Sequence, residues 1–223
     1  MKPRLRLQDL LVLLLTGIPF LYLYYRYPFL PETVATHFGA NGQPNGYSAK
    51  SSLWMILSLL AGAGIFIYLL IRFLPWIDPK KGARYSGGVY NKIAVLLLAF
   101  MAAINFLIIA GAEKNKFSLG GIFPVLMGLF FAVLGNLLHS VKPNYFIGVR
   151  TPWTLENEDN WRVTHQLTGK LWVAGGIIMV LGGLLFSETV SAYILMGAVL
   201  VMVVVPIAYS FWYYRNQQKI NNQ

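Results

Sequence analysis

Six long apolar runs constrain this chain of 223 residues more than any other feature. Each holds about 20 residues, the length that an α-helix needs to cross a hydrocarbon core about 30 Å thick. The runs cover residues 10–25, 53–74, 93–112, 117–138, 171–186 and 190–214, and the fifth is short enough to need flanking residues such as Trp172. Little sequence remains for a soluble domain. The pattern therefore predicts an all-α integral membrane protein, a bundle of six transmembrane helices.

Composition agrees with this class and excludes several kinds of functional site. Hydrophobic residues make up 57% of the chain and charged residues only 12%, which is more apolar than the usual composition of a soluble protein. The chain has no cysteine, which excludes disulfides, thiolate metal sites and cysteine nucleophiles. The basic N-terminus and the apolar run after it resemble a secretion signal. We expect an uncleaved first helix, because the run continues through Pro19 into a tyrosine cluster without a small-residue cleavage site.

The basic residues predict how the bundle is oriented. The net charge is +10, and 14 of the 18 lysines and arginines fall at the termini and in alternate connections. Because basic residues gather on the cytoplasmic side of membrane proteins, both termini are predicted to be cytoplasmic. Loops 28–52, 113–116 and 187–189 are then outside. This distribution accounts for the positive charge without nucleic acid, and we expect a multi-pass protein of a bacterial cell membrane that binds no nucleic acid directly.

The first outer loop has the sequence of a small β-hairpin. Between Thr33 and Phe38, β-branched residues occur at alternate places such as Val34 and Thr36, and Asn-Gly dipeptides follow at 41–42 and 45–46. Both residue types tolerate positive φ, so these dipeptides favour tight turns. We expect a compact cap in which His37 is hydrogen-bonded, with contact to an external peptide or lipid headgroup as the alternative. One histidine and Glu32, the only acid in the loop, do not make a metal site.

The inner loop at residues 141–166 is long and turn-rich for a simple connection between helices. Residues 143–148 form turns, and Thr151-Pro152 has the pattern of a helix N-cap followed by proline at the first helical position. A second helix start is predicted at Thr154 or Asn157, with acidic residues placed for the helix dipole. If one helix covers this segment, residues spaced by four share a face of it: Trp153, Asn157, Trp161 and His165.

Arg150 lies just before that helix start and carries five donors in a rigid fork. Two interpretations stay open for it: it holds loop carbonyls or nearby acids in place, or it binds a cytoplasmic partner. Glu156, Glu158 and His165 offer acid and base groups, but no nucleophile, metal cluster or phosphate-binding loop accompanies them. We therefore expect neither an enzyme nor a cofactor.

The spans hold few polar residues. None of the six runs has an ionisable side chain deep inside it, which counts against an ion pump or a proton-coupled carrier. Asn105 and Asn136 are the notable polar residues, and hydrogen bonding between helices is the favoured role for them. A polar path for a lipid or peptide transporter or flippase is the alternative. Small residues four apart, such as Gly128 and Ala132, suggest only ordinary packing.

Two groups of residues resemble a known family. The inner group is Asn136, Asn144, Gly148, Arg150, Thr151, Pro152, Trp153, Thr154, Leu155, Asn157, Trp161, Thr164 and His165, and it is similar to the core motif of the SdpI-type immunity protein family. The outer group is Pro31, His37, Phe38, Gly39, Gly42, Pro44, Gly46 and Lys50, and it is similar to the small domain of unknown function that often precedes that motif. The resemblance extends over roughly residues 10 to 215.

This resemblance implies a function that the residues alone do not give. Members are bacterial polytopic membrane proteins, and the best understood one protects its producer from a secreted, membrane-active peptide toxin. It is also a signalling receptor that holds a transcriptional repressor at the membrane. The implied partners are a toxin outside, a repressor inside and the membrane lipids.

We expect two regions, 1–52 with the outer cap and 53–223 with the motif loop. The remaining alternative is a membrane-embedded enzyme using His37 or His165.

Overall fold

A computed structural model describes residues 7–39, 43–79, 87–114 and 121–221, and it is an all-α membrane protein with one small hairpin. The helices are α1 (Leu7–Arg26), α2 (Ser52–Ile77), α3 (Gly87–Lys114), α4 (Ile122–Leu138), α5 (Pro152–Glu156), α6 (Glu158–Leu185) and α7 (Glu188–Asn221). The strands are β1 (Thr33–Phe38) and β2 (Pro44–Ala49). In the described part of the chain, five helices are long and apolar enough to cross a membrane. The expected fold class is confirmed.

As the sequence predicts, the fifth apolar run needs flanking residues to cross the membrane, and it forms part of a longer helix. α6 has 28 residues and begins at Glu158, well before the apolar run, because Asn157 caps it and two acidic residues follow in its first turn. The short apolar helix is α4, whose 17 described residues span about 26 Å. The polar N-terminal turns of α6 stay helical because their side chains bond to neighbouring elements. Asn160, for example, donates to the carbonyl of Ser210 on α7 at 3.0 Å.

A line of glycines brings α4 and α6 together. Gly121, the N-cap of α4, and Gly128 and Gly135 within α4 lie seven residues apart. They face Gly183, Gly176 and Gly169 of the antiparallel α6. We call these six residues the glycine seam. A Cβ added to Gly135 would lie 2.9 Å from the carbonyl oxygen of Gly169, and one added to Gly128 would overlap that of Gly176. No side chain larger than hydrogen is therefore accommodated at this backbone distance.

The bundle has a core at each end. At the end that carries the hairpin, called the hairpin end, Leu23, Leu30, Val34, Leu53, Leu57, Ile109 and Ala112 pack together. At the opposite end, called the motif end, the cluster is Tyr68, Ile71, Leu74, Tyr90, Ile93, Ala94, Leu138, Val141 and Trp161. Val34 of β1 and Trp161 of α6 thus anchor their segments in the two cores, so neither segment is a loose tether.

Large apolar side chains cover the sides of the bundle. Those of Phe66, Leu185 and Leu200 are 64 to 70% exposed. Apolar surface this extensive is not stable in water, and a bilayer is the environment that covers it. The chain is therefore a multi-pass membrane protein.

Candidate functional site

Asn144 shapes the turn that opens the inner loop at residues 141–166, which we call the motif segment. Its Nδ2 donates to the carbonyls of Lys142 at 2.9 Å and Ile147 at 3.0 Å. Its Oδ1 accepts from the backbone N–H of Phe146 at 2.8 Å and of Ile147 at 2.7 Å. The side chain is fully buried, and Tyr90 of α3 donates to the same Lys142 carbonyl. One amide group thus supplies the donors and acceptors that a helix or strand would otherwise provide.

His165 holds the next part of the segment against α6. Its Nδ1 lies 2.8 Å from the carbonyl oxygen of Trp161, and its Nε2 accepts from the backbone N–H of Val149 at 3.1 Å. Since a carbonyl only accepts, Nδ1 carries the proton and the imidazole is neutral. Gly148 has φ +118°, and a Cβ there would overlap Nε2 of His165. The loop can therefore approach the imidazole only through glycine.

Trp161 completes this anchor. Its ring stacks on His165 with centroids 4.0 Å apart, and its Nε1 donates to the carbonyl of Val141 at 2.8 Å. Both side chains are almost fully buried. The start and the middle of the segment are thus bonded to two residues one turn apart on α6.

Two threonines start α5 as the sequence predicts. Thr151 is the N-cap, and it forms a reciprocal capping box with Thr154. Thr154 is fully buried, and its hydroxyl lies 2.8 Å from the carbonyl oxygen of Val149, to which it donates. Pro152 occupies the first helical turn, where its missing N–H costs nothing. The local geometry at 151–154 is therefore set by the sequence itself.

The predicted common face of Trp153, Asn157, Trp161 and His165 is wrong for Trp153. The helix breaks at Asn157, which has extended backbone angles and caps α6 by accepting from the N–H of Asn160 at 2.8 Å. The break turns α5 toward α7. Trp153 therefore donates to the hydroxyl of Ser210 at 2.7 Å, and its ring packs against Phe211 and Tyr214.

Arg150 points away from this network. Its side chain is exposed, and one guanidinium nitrogen donates to the carbonyl of Tyr145 across the turn. It pairs with none of Glu156, Glu158 and Asp159; the last of these pairs with Arg162 at 3.1 Å. Holding a carbonyl uses only part of a five-donor group, so the rest of the guanidinium faces outward from a rigid loop.

Several residues that hold the segment were not singled out from the sequence. The hydroxyl of Tyr90 on α3 donates to the segment. On α7, Ser210 accepts from Trp153, and Gln217 accepts from Nδ2 of Asn157 at 2.8 Å. Their distance along the chain hides them. A polar residue within an apolar run, such as Ser210, is the one sequence signal that marks such a contact.

The outer loop forms the predicted hairpin, but the tight turn predicted at 45–46 is wrong, because Asn45 and Gly46 lie within β2 and Gly46 pairs with β1. β1 and β2 pair antiparallel, with irregular register beside His37, which lies opposite Gly46. His37 shares a short hydrogen bond with the side chain of Asn45. The histidine thus has a partner within the hairpin, as expected. Gly42 and the turn at 41–42 lie outside the described residues.

Further contacts stabilise the hairpin and join its end of the bundle together. The ring of Phe38 lies against Gly111 of α3, and the N–H of Gly39 donates to the carbonyl of Gln43 at 2.8 Å. Lys50 pairs with Glu32 at 2.9 Å and lies 5.1 Å above the ring of Tyr27. The carboxylate of Glu113 on α3 accepts from Arg26 at 2.6 Å, which joins α1 to α3 at this end.

The two asparagines of the spans lie in different surroundings. Asn105 is buried in α3, and its Oδ1 accepts no hydrogen bond from any described residue. Asn136 is exposed and lines a groove between α4 and α6 at the motif end. Among the described residues, neither asparagine forms the hydrogen bond to another helix that the sequence favours. Among the residues described, no cluster of three potential metal ligands occurs.

Fold and site together define a multi-pass helical membrane protein with an ordered loop bonded to three helices at one end. Residues 140–210 match the SdpI/YfhL protein family, and residues 14–61 match a domain of unknown function, DUF1648. The chain is also 23% identical over 208 residues to the immunity protein SdpI of Bacillus subtilis (strain 168), which covers 93% of this chain and 96% of that protein. No solved structure matches the chain significantly. The resemblance to the SdpI family is confirmed.

Proposed function

We propose that this protein protects a bacterial cell against a secreted, membrane-active peptide toxin and signals the encounter inward. The observation that carries the proposal is the similarity to an immunity protein along almost the whole chain. The similarity includes both ends of the bundle, where a toxin outside and a protein inside would be met. In this proposal both termini and the motif end are cytoplasmic.

The ordered segment at the motif end supports the signalling part. Asn144, Thr154, Trp161 and His165 are buried and hold the loop, so they act on its shape. Arg150 is exposed on the same loop. Buried hydrogen bonds keep the backbone beside it in one conformation, which lowers the ordering cost of binding a partner. We propose that Arg150 contacts a cytoplasmic protein, such as a transcriptional repressor held at the membrane.

A killing assay tests the protective part. Sensitive Gram-positive cells carry either the wild-type protein or an empty vector and are exposed to the family's peptide toxin. We expect survival only with the protein, at membrane levels confirmed by immunoblotting. Death of cells with a well-expressed wild-type protein would contradict the proposal.

Arg150→Ala tests the signalling part, with Arg162→Ala as the matched control. Both arginines are exposed at the motif end, but Arg162 pairs with Asp159 on its own helix. We expect Arg150→Ala to reach the membrane and protect cells, because its side chain contributes little to the core. Quantitative mass spectrometry of membranes after toxin exposure should then find at least about tenfold less captured DNA-binding protein, since a charge-assisted contact is worth 1.5–3 kcal/mol. Equal capture by both variants would refute a role for Arg150.

A further inference from the structure

A groove between α4 and α6 at the motif end has the chemistry of a lipid site. Its volume is about 700 Å³, within the range of small-molecule sites. Its walls are nine residues: Gly135, Asn136, His139, Gln166, Gly169, Lys170, Val173, Ala174 and Ile177. Gly135 and Gly169 belong to the glycine seam and form its floor, so backbone rather than side chains closes the groove.

The polar residues of the groove collect at one end of it. Asn136 of α4 and its C-cap His139 lie one turn apart, and Gln166 and Lys170 lie one turn apart on α6. All four are exposed, and none forms a hydrogen bond or ion pair with another residue in the described part of the chain. Two amides, an imidazole and an ammonium group therefore present hydrogen-bonding capacity to the groove without a protein partner.

The other end of the groove is apolar and runs into the membrane. Val173, Ala174 and Ile177 follow Lys170 along α6, toward the centre of its apolar run. Along the helix, one positive charge and hydrogen-bonding groups near the interface are therefore followed by aliphatic side chains at the depth of the acyl chains. This order matches a phospholipid, whose phosphate is at the surface and whose acyl chains are inside.

We infer that this groove binds an anionic phospholipid, with the phosphate on Lys170 and the amides of Asn136 and Gln166, and an acyl chain along Val173, Ala174 and Ile177. Charge selects the headgroup, because the only full formal charge among the lining residues is positive. A basic pocket between transmembrane helices on one leaflet is a recognised kind of lipid site. This inference does not depend on the immunity function.

Native mass spectrometry of the full-length protein in a zwitterionic detergent tests the site. Phosphatidylglycerol and phosphatidylcholine with the same acyl chains are titrated in turn. We expect wild-type protein to retain phosphatidylglycerol preferentially, and Lys170→Gln to bind it about tenfold more weakly, since a charge-assisted contact is lost. Lys219→Gln removes an exposed lysine near the end of α7, far along the chain from the groove, and should bind as the wild type does.

Ala174→Phe supplies a second variant that leaves the charge in place. Ala174 is exposed, so a larger side chain fills the groove without entering the core, and phosphatidylglycerol binding should again fall. Inorganic phosphate at millimolar concentration should not displace the lipid if the acyl chain contributes. Equal retention of both lipids by the wild type, unchanged binding by both groove variants, or displacement by phosphate would each overturn the assignment.

Discussion

The side chain of Asn144 forms four bonds of 2.7 to 3.0 Å with backbone groups between residues 142 and 147. It accepts from two N–H groups and donates to two carbonyls, because a carboxamide group carries both an acceptor oxygen and a donor nitrogen. His165 does the same for Val149 and Trp161 with the two nitrogens of a neutral ring. At the residue scale the motif is therefore a set of polar groups that replace secondary structure.

Asn144→Asp tests this role with almost no change in shape. The carboxylate keeps the two acceptor bonds, but it loses both donor bonds and faces the carbonyls of Lys142 and Ile147 with a buried negative charge. We expect a loss of at least about 2 kcal/mol, seen as a lower melting temperature in detergent. Asn216→Asp, at a half-buried asparagine near the end of α7, is the control. Equal melting temperatures for the two variants would show that the Asn144 network is not stabilising.

At the scale of elements, the closest packing is between α4 and α6 along the glycine seam. The seven-residue spacing in each helix keeps the glycines on one side of a slightly supercoiled antiparallel pair. The sequence suggested only ordinary packing for Gly128, and its partner Gly176 was not foreseen. Glycines at such intervals are common by chance, so pairing them requires knowing that the two helices are neighbours and antiparallel.

Gly128→Ala and Gly197→Ala separate close packing from helix propensity. A methyl group at Gly128 would overlap the carbonyl of Gly176, whereas nothing lies within 4 Å of a Cβ at Gly197 on α7. We expect Gly128→Ala to cost about 1–3 kcal/mol, because the helices must separate. Gly197→Ala should be neutral or stabilising by up to about 1 kcal/mol. Thermal unfolding in detergent compares them, and a Gly128→Ala protein as stable as the control would disprove the close contact.

In the whole molecule, the two ordered segments lie at opposite ends of the bundle. The hairpin is packed on the core that includes Val34, and the motif segment on the core that includes Trp161, with α3 reaching both through Gly111 and Tyr90. One continuous helix, α3, therefore contacts both ordered segments. The division of the chain at residue 52 stays a prediction.

The orientation of the bundle can be measured directly because the chain has no cysteine. Tyr47→Cys places a thiol at an exposed hairpin position, and Glu156→Cys places one at an exposed motif position. If both termini are cytoplasmic, a membrane-impermeant maleimide should label the first variant in intact cells and the second only after permeabilisation. Wild-type protein controls for background labelling, and the reverse pattern would contradict the positive-inside prediction.

The sequence by itself determined the class of protein, the hairpin and the helix start at 151–154. Each depends on local rules: the length of an apolar run, the extended preference of β-branched residues, and a threonine cap followed by proline. Only the tertiary structure decided that α5 turns toward Ser210, that His165 receives the N–H of Val149, and that six glycines face one another. These contacts join residues on different elements, and pairing across the bundle depends on packing that no local pattern encodes.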